Sequence, residues 1–69
     1  LFRQGKSVAA LETLQKAYAQ KADAEIAAHI GEVLWALGRP NEAMSVWREA
    51  SKAHPTNEAL AGTIKRFVP

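Results

Sequence analysis

The chain repeats itself. Displacing the sequence by 33 residues sets Gly5 on Gly38, Ala10 on Ala43, Leu14 on Trp47 and Ala17 on Ala50, and brings Phe2 onto Trp35. Farther along, a displacement of 34 fits better: Ile26 meets Leu60, Ala27 meets Ala61, Ile30 meets Ile64, Val33 meets Phe67 and Leu34 meets Val68. The one-residue change places a deletion in a turn near Ala22. Small residues recur as small and large apolar residues as large. A period of this length belongs to one supersecondary unit that cannot bury its apolar face alone and is completed by stacked neighbours.

Within the unit the apolar spacing is helical. A segment from Ser7 to about Lys21, opened by Gly5, carries Ala10, Leu11, Leu14, Ala17 and Tyr18 on one face, with Glu12 and Lys16 as a favourable i,i+4 pair. Asp23 suits the N-cap of a second segment, about Ala24 to Leu37, whose stripe is Ala27, Ile30, Leu34 and Leu37. Gly38 reads as its C-terminal stop, and Pro40 as the first turn of a third helix. That helix carries Ala43, Met44, Val46, Trp47 and Ala50 and ends near His54, because Pro55 disfavours helix in the residue before it. Asn57 caps a fourth helix with Leu60, Ile64 and Phe67 on one face. No stretch alternates with period two. Alanine supplies 14 of the 69 residues and loses no side-chain entropy in a helix, which agrees with the pattern. The expectation is all-α: about four helices, joined by turns short enough to force antiparallel neighbours.

Several functions are excluded at this level. Without cysteine there are no disulfides, zinc ribbons or thiol nucleophiles, and His29 and His54 are too few for a histidine-only metal site. Glu25, His29 and Glu32 share a helix face, but with no ligand from a second helix they read as an ordinary polar stripe, so no metal is expected. There is no nucleophile–base–orienter set and no glycine-rich phosphate loop, so neither catalysis nor a cofactor is expected. His54 precedes Pro55 at a helix end, where an imidazole suits the dipole, and implies no function. The net charge of +2 is small and its signs are interspersed, so no nucleic-acid or anionic-membrane partner is demanded. A DNA-binding helix-turn-helix around Gly38 would use a recognition helix carrying Ala43, Met44, Val46, Trp47 and Ala50, which leaves few side chains for base edges. The longest apolar run, Val33 to Leu37, falls far short of the roughly 18 residues of a membrane span. At 69 residues the chain makes one small domain at most; beginning at Leu1, it reads as a segment of something longer.

The unit from Ala24 to Asn57 resembles the tetratricopeptide repeat, whose pattern is W-x2-L-G-x2-Y, then A-x3-F, then P. Ile30 and Gly31 stand in the Leu-Gly slots, Leu34 in the Tyr slot and Gly38 in the turn. Ala43, Trp47, Ala50 and Pro55 fill the Ala, Phe, second Ala and Pro slots, and Ala27 stands where the pattern has Trp. The resemblance implies a short solenoid of antiparallel helix-turn-helix repeats. Residues 1–23 would end one repeat, with 1–4 the tail of its first helix and 5–23 its second. Residues 24–57 would be one complete repeat and 58–69 a C-terminal capping helix, in which Lys65 replaces the small Gly. Gly31 and Ala43 would mark the crossing of the two helices, and Trp47 would fill the wedge toward the next repeat.

The resemblance also implies a function: a non-enzymatic adaptor or scaffold module that binds a peptide or partner helix in a concave groove lined by the first helix of each repeat. Carried over, the groove residues are Phe2, Arg3, Glu25, Ala28, Glu32, Trp35 and Arg66, with Gly62 beside them. Glu32 and Arg66 are placed to face each other. Trp35 is the leading contact, because aromatic residues and arginine are favoured at interface hot spots. Family members that hold a chaperone's C-terminal carboxylate use Lys and Asn where this chain has Ala28 and Glu32, so that ligand is not implied. The run from Glu25 to Gly38 is similar to C-terminal repeats of proteobacterial tetratricopeptide proteins, including outer-membrane lipoproteins. That likeness would imply a periplasmic or outer-membrane-associated location; without it, a cytoplasmic one. Apolar solenoid ends around Leu1, Phe2, Leu11 and Val68 would offer a second copy of the chain a place to pair.

Overall fold

The computed structural model describes the backbone of residues 2–68 and the side chains of residues 7–68. Four helices follow one another: α1 (Phe2–Gln20), α2 (Ala24–Ala36), α3 (Pro40–Ala53) and α4 (Glu58–Phe67). No strand occurs among the described residues, and no helix is long and apolar enough to cross a membrane. The helix start expected near Ser7 is corrected: α1 runs unbroken from Phe2 through Gly5, so residues 2–4 continue into the same helix instead of ending an earlier one. A single glycine costs a helix interior about 1 kcal/mol and does not stop it.

The other boundaries follow from caps. The Asp23 carboxylate accepts the Glu25 N–H at 2.8 Å, and the Asn57 side chain accepts the Leu60 N–H at 2.9 Å, satisfying orphan donors at the starts of α2 and α4. Gly38, at φ +77°, ends α2. The Arg39 N–H reaches back to the Leu34 carbonyl at 2.9 Å and the Gly38 N–H to the Trp35 carbonyl at 3.0 Å, which is the Schellman arrangement. Pro40 opens α3, and the Arg39 guanidinium grips both carboxylate oxygens of Glu42 in its first turn. The α3 helix stops at Ala53, ahead of Pro55. His54 Nε2 then donates to the Ala22 carbonyl at 2.9 Å, tying the third turn to the first.

Packing makes α2 the hub. It packs against α1, α3 and α4, and α3 also packs against α4. The Cα atoms occupy 36 × 30 × 16 Å, a slab two helices thick. The core collects Leu11 from α1, Ala24, Ala27, Ala28, Ile30 and Leu34 from α2, Ala43, Trp47 and Ala50 from α3, and Leu60 from α4. Two of the sequence expectations fail here. Ala10 is exposed. Leu11, expected at an open solenoid end, is buried.

The decisive contact is between Trp47 and Gly31. Trp47 is 1% exposed and its indole lies flat across the glycine. A Cβ at Gly31 would stand 2.0 Å from Trp47 Nε1 and 2.2 Å from Cε2, closer than any side chain tolerates. The indole N–H is not wasted: it donates to the Ala28 carbonyl at 3.3 Å. Ala27, Ala43 and Ala50, all fully buried, supply the other small surfaces that let the helices approach.

Gly31→Ala is therefore expected to destabilise the fold by about 1–3 kcal/mol, although alanine is the better helix former. For a domain of this size that lowers the melting temperature by several degrees, roughly 4–8 °C per kcal/mol. An unchanged or raised midpoint refutes the contact. Combined with Trp47→Leu, the glycine substitution costs less than it does alone, as a double-mutant cycle would show.

Candidate functional site

The face to which the groove residues were assigned is formed by α2 and α4. Glu25 opens α2 and is exposed. One turn on, His29 is exposed, with Nδ1 3.5 Å from the Glu32 carboxylate. The same carboxylate accepts from Arg66 Nη2, so the ion pair expected between Glu32 and Arg66 forms and bridges α2 to α4. The Arg66 guanidinium also lies 5.6 Å from the centre of the Phe67 ring, within cation–π range. Arg66 is thus held by a carboxylate on one side and an aromatic ring on the other, with 65% of its side chain in water. Gly62 is exposed, and a Cβ there would meet nothing, so packing does not require glycine at that position.

One of the assigned residues, Ala28, does not present itself. Ala28 is 4% exposed: α2 sits between its neighbours at that level, so the residue belongs to the core and its carbonyl serves the Trp47 indole. The groove assignment of Ala28 is corrected accordingly. The side chains of Phe2 and Arg3 lie outside the described residues. The Glu25, His29 and Glu32 stripe does not gather into a three-ligand cluster.

Trp35, expected as a groove contact, is half-buried by aromatic packing. Its ring stacks on Trp47, centroids 5.9 Å apart at 24°, and tilts against Phe67 at 5.5 Å. Phe67 in turn lies 5.6 Å from Trp47. Three of the five aromatic residues therefore form one cluster where α2, α3 and α4 meet. Trp47 is buried in it, whereas Trp35 and Phe67 are half-buried and keep an edge on the surface. Sequence reasoning treated Trp35 as a groove contact and Phe67 as one residue of a helix stripe, and missed that they meet. The available signal was the displacement of 34, which sets Val33 on Phe67 and gives Phe67 a large apolar counterpart in α2.

A hub helix whose small residues admit a buried indole from the next helix, within a unit that recurs after about 34 residues, is the arrangement a helical repeat requires. The family model of the tetratricopeptide repeat matches residues 1–66. The chain belongs to the tetratricopeptide repeat family. Searches of the curated proteins and of the solved structures returned no match. The tetratricopeptide family is one of protein–protein interaction modules. In this member the positions assigned to its pattern are occupied as follows: Ala27, Ile30, Gly31, Leu34, Ala43, Trp47 and Ala50 are buried, Gly38 takes the left-handed turn, and Pro55 lies exposed just past the end of α3.

Because Trp35 packs on two rings, Trp35→Ala is expected to cost the fold about 1–3 kcal/mol, from lost burial and aromatic pairing. The near-ultraviolet dichroism of the stacked indoles should weaken at the same time. Full retention of both stability and the near-ultraviolet signal would show that Trp35 stands free of the cluster.

Proposed function

We propose that this chain is a non-enzymatic module of a larger adaptor or scaffold, and that it takes a peptide or partner helix on the α2/α4 face. Glu25, Glu32, Arg66 and the open edge of Trp35 are the contacts. The observation that carries the reading is the Glu32–Arg66 pair, set beside the aromatic cluster. With the Arg66 side chain 65% exposed and that of Glu32 28%, solvent screens the pair, which contributes on the order of 1 kcal/mol to stability. It costs the fold little to open, so Arg66 can exchange Glu32 for a partner carboxylate, and Glu32 can exchange Arg66 for a partner cation. The ring edges of Trp35 and Phe67 next to it supply apolar area that a partner can cover.

A photo-crosslinking side chain placed at Glu25 or at Arg66 is expected to trap the partner, whereas one at Lys16 on α1 is not. With the trapped protein in hand, Arg66→Ala should weaken its binding by about thirtyfold, the scale of a hot-spot residue. The same substitution should move the melting temperature by no more than a few degrees. Trapping at Lys16 alone, or full affinity in Arg66→Ala, removes this face from the reading.

Pairing of two copies is the second reading. It rests on a hollow of about 190 Å³ at the α3/α4 end, lined by Met44, Trp47, Arg48, Ile64 and Val68. Sedimentation over a concentration series decides it: a monomer throughout rejects pairing.

A further inference from the structure

The opposite side of the slab carries a second feature. Residues of α1 and α3 line a cleft over α2. It is about 470 Å³ at one end and continues, through the shared residues Gln15, Ser45 and Val46, into a further 290 Å³ beside Tyr18. Ile30 and Leu34 floor it. Val8 stands on its edge at 43% exposure, the one large apolar side chain left exposed among the described residues. Among the described lining residues the polar rim is acidic: Glu12, Glu42 and Glu49 stand against one cation, Arg39, which is bound to Glu42. Lys52 lies 3.6 Å from Glu49, the two side chains 71% and 70% exposed, and does not line the cleft. The rim thus has the opposite sign to the chain as a whole, whose net charge is +2.

We propose that this cleft binds a short amphipathic helix with an apolar stripe flanked by lysine or arginine. Charge selects the sign of the guest: with Arg39 offsetting Glu42, Glu12 and Glu49 leave the described lining negative, which favours cations beside the buried side chains. Backbone chemistry selects its conformation. The walls are helices whose N–H and C=O groups are already bonded within each helix, so no edge is offered to an added strand, and recognition falls to side chains. A helical guest arrives with its own backbone bonds satisfied. Along α1 the cleft extends from Val8 to Tyr18, about 15 Å at 1.5 Å per residue, which suits two to three turns presenting apolar residues at i, i+4 and i+7. The site is separate from the α2/α4 face, since neither Trp35 nor Arg66 lines it, and its test does not depend on that reading.

The probe is a 15-residue helical peptide with leucines at i, i+4 and i+7 flanked by lysines, and the control is the same peptide with glutamate for lysine. Titrated into the isotope-labelled full chain, the lysine peptide should shift amides of residues 8–18 and 42–49 saturably. The double reversal Glu12→Lys, Glu49→Lys should weaken it by about tenfold or more, and Val8→Ser by about fivefold. Glu25→Lys, on the far face, should leave it unchanged. All four positions are exposed, and circular dichroism checks that each variant keeps its helicity. Equal binding of the glutamate peptide, shifts confined to α2 and α4, or no binding at all overturns the proposal. So does sedimentation that finds a dimer abolished by Val8→Ser, for then a second copy of the chain fills the cleft.

Discussion

The indole of Trp47 lying across Gly31 sets the geometry on which everything else depends. It decides how near α3 can come to α2, and only the absence of a side chain at Gly31 makes that distance available. The ring is large enough to fill the space between α2, α3 and α4 at once. Its N–H would be a liability at 1% exposure, but the Ala28 carbonyl takes it. From there the aromatic contact continues outward to Trp35 and Phe67, so that α4 is fastened by ring packing to a junction formed within the preceding repeat.

The same geometry shapes both surfaces of the slab. On one side α2 and α4 are in contact, and their outward residues are charged groups beside the rims of two aromatic rings. On the other side α1 and α3 both pack on α2 and line a cleft. Ile30 and Leu34 of that hub, 3% and 4% exposed, lie beneath its acidic rim. A small repeat protein of this kind cannot cover all its apolar surface from within, because each helix pair relies on neighbours for the rest of its burial. Where the remainder is left, and what charge surrounds it, is a consequence of the spacing between helices.

Much of the architecture could be read along the chain. Asp23, Gly38, Pro40 and Asn57 act where local chemistry said they would, since capping, a positive φ and a fixed proline ring depend on a few consecutive residues. The displacement of 33 to 34 residues identified which positions are equivalent in residue type but not in depth: Ala43 and Ala27 are buried, whereas their counterparts Ala10 and Ala61 are exposed. Gly5 was the exception among the punctuation marks. Helical propensity on both sides of it outweighed one glycine, and α1 continues through.

Depth and neighbourhood were not legible in the same way. The helical period places Ala28 and Trp35 on the outward side of α2, yet Ala28 is buried and Trp35 is half-buried between Trp47 and Phe67. Periodicity describes the direction of a side chain from its own helix axis. How far the next helix wraps round to meet it depends on residues 12 to 32 positions away, here Trp47 and Phe67. Helix positions, ends and the equivalence of the repeats were settled by short-range chemistry written in residue order. Which faces stay in water, which rings meet, and the cleft left between α1 and α3 were settled only when helices distant in sequence packed, because burial is a property of the surfaces that close over a residue.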